Sequence, residues 1–267
     1  MPFQIQWHRE LPSTNTYLKA QAENGEALEG DVVAADFQTA GRGRLGRHWE
    51  ALFGQSTLFS TLIYPQLEVE RIALLGLLVG LSILEGLKMY LARLADEGVF
   101  FRTVEGFPIA LNIDEVFKLK WPNDLLAAGK KLGGILCETG LDAAGRRFVV
   151  AGVGVNVRQR LEDFTRNLRT PPTSLYLLTG LEIQPKDLLA PLLNSLDIHL
   201  KRLRQDGPDW ISREFADKTN CLGQEINVQI GQNSITGTFL TIEQDGALGL
   251  RLSNGTFQQI YSGDIHK

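Results

Sequence analysis

The sequence predicts an α+β protein in two parts, a larger unit over residues 1–217 and a small β-barrel over residues 218–267. Three observations carry this reading. Segments with a period of two alternate with helical segments through the first part, and after Lys218 the texture changes to short alternating segments. These last are separated by Gly231-Gln232-Asn233, Asp245-Gly246 and Asn254-Gly255, each a turn signal of the hairpin type. With 267 residues, 43% of them hydrophobic, the chain holds enough apolar material for one large domain and a small one.

Taken in order, Phe3-Gln4-Ile5-Gln6-Trp7 alternates as a strand, with Phe3 and Trp7 read as core residues. Ser13 is an N-cap, residues 14–23 a helix and Gly25 its stop. Residues 31–38 form a strand leading into a glycine- and arginine-rich loop at 39–47, and residues 57–64 form another strand. Residues 69–95 are apolar nearly all round, which predicts a buried helix against a sheet despite Gly76, Gly80 and Gly86, the last marking a close contact. The stretch 96–116 is longer than an ordinary connection and offers only a short strand candidate at Val99-Phe100-Phe101 and a turn at Gly106-Phe107-Pro108. Residues 116–121, a turn at Ala128-Gly129-Lys130 and residues 132–138 read as a β-hairpin. Residues 146–157 are a strand pair or one long strand, 158–172 a mobile polar loop whose one aromatic residue is Phe164, and 186–204 a helix.

Composition narrows the function. The net charge of -4 argues against broad electrostatic binding to nucleic acid, so any anion site must be local. The longest apolar run, 72–84, contains Ser82 and falls short of the roughly 20 residues needed to cross a bilayer, so no membrane span is expected. No leader pattern marks the N-terminus, and a cytoplasmic protein is expected. Cys137 and Cys221 lack the spacing of a metal site or disulfide framework and read as ordinary reduced thiols. His8, His48, His199 and His266 are scattered without ligand spacing and receive no catalytic role.

The chemistry-bearing segments are few. Gly41-Arg42-Gly43-Arg44-Leu45-Gly46 has the spacing G-x-G-x-x-G, but no helix follows it and no acidic ribose partner lies downstream, which disfavours a dinucleotide fold. Arg42, Arg44 and Arg47 among glycines suit phosphate or carboxylate recognition, and equally a solvated basic loop. As neighbours in sequence these arginines repel one another, so the loop is expected to stay mobile until an anion arrives. In Lys118-Leu119-Lys120-Trp121-Pro122-Asn123-Asp124 both lysines share a strand face, and the Pro-Asn-Asp break turns polar side chains out at the strand end. Lys130-Lys131-Leu132-Gly133-Gly134 sets cations beside two glycines that permit close approach of a ligand, or forms an exposed basic turn. Ala151-Gly152-Val153-Gly154-Val155-Asn156 ends a glycine-punctuated apolar strand on a polar residue.

Together with Ser13-Thr14-Asn15, these segments resemble, in order and over nearly the whole chain, the landmarks of bacterial biotin protein ligases of the monofunctional type. The resemblance implies a catalytic domain akin to class II aminoacyl-tRNA synthetases, with a mixed sheet flanked by helices, and an SH3-like C-terminal barrel. It implies that ATP activates biotin to biotinyl-5'-AMP, with Mg²⁺ expected, and that biotin passes to a lysine of the biotin carboxyl carrier protein of acetyl-CoA carboxylase. By position, Ser13, Thr14, Asn15, Gln38, Arg42, Gly43, Arg44, Lys131, Gly133 and Gly134 are similar to the biotin-contacting set. Arg44, Arg47, Trp49, Asn123, Lys131 and Asn156 are similar to the nucleotide-contacting set, with Trp49 covering the adenine. Lys131 is expected to bridge the biotin carboxylate and the α-phosphate, with Arg44 and Arg47 closing over the pyrophosphate or adenylate. Asp124 either receives the proton of the carrier amine or stabilises its own turn as an Asx residue. Metal ligands stay unassigned.

Dual-function members of that family carry an N-terminal helix-turn-helix, whereas this chain enters its first strand almost at once, so sequence-specific DNA binding is not expected. A monomer or homodimer is compatible with the sequence. A lipoate or octanoate protein ligase is the nearest enzymatic alternative, and a biotin-sensing protein without turnover the nearest non-enzymatic one. Lys120-Trp121-Pro122-Asn123-Asp124 and the barrel favour biotin over the first, and intact Arg44 and Lys131 oppose the second.

Overall fold

The first strand pairs parallel with the second because a helix carries the chain back between them, whereas the other strand pairs described in this sheet are antiparallel. A computed structural model describes residues 3–104, 106, 109–165 and 170–266. Its larger sheet has strands β1 (Gln4–His8), β2 (Asp31–Ala35), β3 (Ser56–Ile63), β4 (Phe117–Lys120), β5 (Asp124–Ala127), β6 (Lys130–Leu141) and β7 (Arg147–Asn156) in the order β1-β2-β3-β7-β6-β5-β4. The expected mixed sheet is therefore present. The crossover helix α1 (Thr14–Glu23) starts at Ser13, whose side chain accepts the Thr16 N–H, and the chain leaves it through Gly25 at φ +76°.

The long apolar segment folds as α2 (Leu74–Asp96), buried against the sheet. By length and composition Val69–Asp96 would suffice to cross a membrane, which the length of that apolar run does not reveal, but 72% of its apolar window is buried inside this fold. Beside it runs α5 (Pro185–Asp206), interrupted by Pro191. The two helices approach where Gly86 faces Pro191 and Leu192. A Cβ on Gly86 would lie 3.1 Å from both the Pro191 carbonyl and the Leu192 Cα, which is the close contact expected from the sequence.

Several elements differ from expectation. β2 ends at Ala35, and Gln38 keeps only an isolated bridge to Leu11. The expected hairpin is a three-stranded meander, because the Trp121-Pro122-Asn123 turn starts β5 before the Ala128-Gly129 turn starts β6. The open choice at 146–157 resolves to the single strand β7, with nine of its ten residues buried. Val99-Phe100-Phe101 is not a strand. The turn expected at Gly106-Phe107-Pro108 and part of the 158–172 loop lie outside the described residues. Three helices were not read from the sequence, α3 (Ile113–Val116), α4 (Leu175–Thr179) and α6 (Asp209–Asp217). Phe3 and Trp7 are half-buried against the main core, and the Trp7 indole donates to Asp36 at 2.9 Å.

The C-terminal strands β8 (Glu225–Ile230), β9 (Asn233–Ile242), β10 (Leu248–Arg251), β11 (Phe257–Ile260) and β12 (Asp264–His266) form a separate five-stranded antiparallel sheet in the order β11-β10-β9-β8-β12. Three of its turns fall where the sequence predicts them, and the connection at 261–263 between β11 and β12 was not read. Buried residues of this sheet, Ile226, Val228 and Phe239 among them, join the same apolar cluster as α2 and the large sheet.

Both cysteines are free thiols. Burial pushes the Cys137 thiol up to about 12, with the nearby Glu138 charge adding to the effect. The raised value means the folded protein holds the thiol proton more tightly, so little of Cys137 is thiolate at pH 8. Ellman's reagent is expected to leave Cys137 untouched in the native protein at pH 8 and to react with it once the chain is unfolded. Rapid native labelling of Cys137 would contradict its burial.

Candidate active site

The start of α1, the middle of β3 and the glycine-rich stretch of β7 meet in a polar pocket of about 100 Å³. The Thr14 N–H and hydroxyl both donate to Gln38 Oε1, at 2.7 and 3.1 Å. The Ser60 hydroxyl lies 2.7 Å from Thr14 Oγ1 and 2.6 Å from Asn15 Oδ1. Asn15 Nδ2 donates to the Leu136 carbonyl at 3.0 Å and to Glu138 Oε2 at 2.9 Å. Glycine at 152 makes room for this amide, since a Cβ there would lie 2.0 Å from Asn15 Oδ1. Every polar atom of the buried Asn15 side chain is thereby engaged, as burial demands.

At the other end of the pocket, Lys131 Nζ lies 2.7 Å from Asp124 Oδ1. Asp124 opens β5 opposite Gly134, so the pair is held by adjoining strands and not by a flexible turn. The Trp49 ring lies on a glycine floor, where a Cβ on Gly154 would come within 2.6 Å of the indole and one on Gly134 within 3.3 Å. Lys131 Nζ stands 5.9 Å from the Trp49 ring centroid. The Trp49 Nε1–H is buried without a partner among the described residues. Beyond Trp49 and Lys131 a second cavity of about 760 Å³ opens, bordered by Lys120, Asn156, Phe164, Asp264 and His266.

The loop arginines are not the mutually repelling set expected from the sequence. Arg42 bonds Glu138 of β6 and donates to Thr16 Oγ1 at 3.1 Å. Arg47 makes two hydrogen bonds to Asp264 of β12. Arg44 donates to Asn123 Oδ1 at 3.3 Å, Ser262 Oγ at 3.2 Å and the Gly263 carbonyl at 3.5 Å. The protein's own carboxylates and carbonyls thus supply the counter-charge, and the electrostatic reason for expecting a loose loop falls away. Burial draws the Arg44 pKa below the usual arginine value, opposed by the charges of Asp264 and Asp124. The hydrogen bond to Asp264 holds Arg47 above it. Burial also lowers Lys120, with Asp124 opposing and Lys131 adding to the fall, while its Nζ donates to Thr170 Oγ1 at 3.2 Å.

Of the residues expected at the site, all but Gly133 and Asn156 line the smaller pocket. Gly133 instead makes room within the sheet, because a Cβ would lie 2.7 Å from the Gly154 carbonyl. Asn156 borders the larger cavity with its amide already committed, donating to the Thr173 carbonyl at 3.0 Å and accepting from Gln159 at 3.2 Å. Asn123 likewise donates to the Ile135 carbonyl at 2.8 Å, so it braces Arg44 from a fixed position. Asp124 pairs with Lys131, a role that neither sequence alternative named. The sequence reading singled out the Lys120 segment without giving that lysine a contact, and it missed Ser60, Glu138 and Asp264. Only Glu138 carried a usable signal, since alternation along β6 puts it on the face of Gly134 and Leu136.

Residues 7–156 match the biotin/lipoate A/B protein ligase family, and residues 221–267 match the biotin protein ligase C-terminal domain. The chain is 30% identical to a biotin--[acetyl-CoA-carboxylase] ligase of Mycobacterium tuberculosis over 95% of its own length and 85% of the relative's. It is 31% identical to the bifunctional ligase/repressor BirA of Bacillus subtilis, over 97% of this chain and 72% of that one. Among solved structures, the biotin protein ligase from Aquifex aeolicus in complex with biotin and ATP superimposes with a TM-score of 0.75 at 29% identity, covering 98% of this chain and 97% of that one. With a family match across more than half of its length, a second match over its C-terminal sheet and a like fold throughout, this chain belongs to the biotin/lipoate A/B protein ligase family, on its biotin protein ligase branch.

Proposed function

We infer that the protein is a biotin protein ligase, which uses ATP to convert biotin to biotinyl-5'-AMP and then transfers biotin to a lysine of a biotin carboxyl carrier protein. The observation that carries this reading is the position of the Lys131–Asp124 pair, at the junction of a small polar pocket and a larger cavity rimmed with cations. The small pocket suits the fused ring of biotin, with Ser13, Thr14, Asn15 and Gln38 meeting its ureido group. Its valeryl carboxylate would then point past Trp49 toward Lys131, and the larger cavity would take the nucleotide.

Bringing a carboxylate to the α-phosphorus joins two anions, and negative charge builds on the phosphoryl oxygens and the leaving pyrophosphate. Lys131 lies where it offsets that repulsion, while Asp124 keeps its ammonium aimed. Arg44 and Arg47, braced on Asn123 and Asp264, face the phosphates without needing to be ordered at the moment of reaction. In the second half-reaction the carrier lysine must lose a proton before it attacks the anhydride. Asp124 is the carboxylate nearest the reacting end, and its primary role is to orient Lys131. A Mg²⁺ carried by the nucleotide would be faced by carboxylates of the larger cavity, Asp124 and Asp264 among them.

Isotope exchange between pyrophosphate and ATP tests the reading. Exchange is expected to depend on biotin and to respond little to lipoate or octanoate. Exchange supported by lipoate and not by biotin would move the protein to the other branch of its family.

A further inference from the structure

Glu138 lines neither cavity, yet both of its oxygens are committed to side chains that do line the small pocket. Oε2 accepts from Asn15 Nδ2 at 2.9 Å, and Oε1 pairs with Arg42. We propose that Glu138 is a positioning residue for the biotin pocket, setting which end of the Asn15 amide faces the ligand and fastening Arg42 against the start of α1. The proposal rests on the biotin reading of that pocket.

The two ends of an asparagine amide have nearly the same shape and opposite hydrogen-bonding character, so their partners decide the orientation. A carboxylate only accepts. Together with the Leu136 carbonyl, which also only accepts, Glu138 therefore claims the NH₂ end of Asn15. The oxygen is left beside the Ser60 hydroxyl, over the open space at Gly152. The same carboxylate provides the charge that holds Arg42, which further donates to Thr16 on α1. One group thus fixes the polarity of the pocket wall and the near end of the 39–47 loop before any ligand enters. Such preorganisation lowers the cost of binding rather than the barrier of the chemical step.

The test uses the full chain with Glu138→Gln and Glu138→Asp. Glutamine keeps the shape but offers one accepting atom where two donors now bond, and aspartate is too short to reach both partners. For E138Q, the KM for biotin in pyrophosphate exchange is expected to rise about tenfold or more, as the loss of a charge-assisted contact implies. The kcat and the KM for ATP should change less than threefold. Trypsin should cut after Arg42 faster in the ligand-free variant than in the wild type. E138D, which keeps the charge, should fall between the two and serves as the test protein should E138Q not fold. An unchanged KM for biotin in a folded variant would overturn the proposal, as would a fall in kcat with both KM values unmoved. Failure of the wild type to show biotin-dependent exchange would instead count against the ligase reading, and the Arg42 cleavage rates would still decide whether Glu138 fastens the loop.

Discussion

Lys131→Ala is expected to lower biotin-dependent pyrophosphate exchange by about 100- to 1,000-fold, the usual cost of removing a group aimed at developing charge. Its melting temperature should stay within about 2 °C of the wild type, because half-exposed side chains away from the core contribute little to stability. The structure explains why the two effects separate. The Lys131 side chain is 32% exposed, and the strand around it is held by backbone bonds from its N–H to the Pro171 carbonyl and from Thr173 N–H to its own carbonyl, both at 2.8 Å. Asp124 does not become an isolated buried charge when its partner goes, since Arg44 and Lys120 both still feel it. Lys131→Arg should recover only part of the activity, because a planar guanidinium cannot replace a compact ammonium beside Trp49. A folded alanine variant with activity within threefold of wild type would remove Lys131 from the mechanism.

Gly152→Ala is expected to act on binding and stability together. The new methyl would lie 2.0 Å from Asn15 Oδ1 and 2.8 Å from its Cγ, so the amide must leave its seat. Ser60, the Leu136 carbonyl and Glu138 would then lose a shared partner inside a pocket with little water, at a cost of about 2–4 kcal/mol. That corresponds to a melting temperature roughly 5–15 °C lower. The KM for biotin should rise by about 100-fold, since the wall that meets the ureido group is displaced. The clash has a specific cure: in an Asn15→Ala background the methyl has space, so Gly152→Ala should cost far less stability there than in the wild type. Equal costs in the two backgrounds would show that the Asn15 amide is not what glycine accommodates.

Much of the fold was legible because each signal was local. α1 announces itself with Ser13 and Gly25, and four of the five C-terminal strands follow from their turn signals, β12 having none. β5 escaped because it has four residues, of which Leu125, Leu126 and Ala127 are all buried and show no alternation. α4 has five residues and takes its start from the Ser174 cap and its end from Gly180, whose Cβ would meet the Arg102 carbonyl at 2.6 Å. No window of local sequence contains that contact.

The site divides the same way. Segments rich in glycine and cations name their own candidates, but charge read along the chain counts neighbours only in sequence. It saw Arg42, Arg44 and Arg47 as three cations together. The fold brings Glu138 from β6 and Asp264 from β12 to two of them, and carbonyl and hydroxyl groups to the third. Ser60 gave no warning because a serine inside an apolar strand is equally at home as a plain buried hydroxyl.

Arg47 and Asp264 are separated by 217 residues, and Arg44 by 218 and 219 from its own partners at Ser262 and Gly263. A ribosome therefore releases the loop long before it has made what the loop rests upon, and domains generally begin to fold from the N-terminal side during synthesis. The large sheet has all its strands once β7 has emerged, but Arg44 and Arg47 wait for residues 262–264. A chain halted after β7 and before Ser262 would thus carry Arg44 and Arg47 at the pocket wall without their later-made partners.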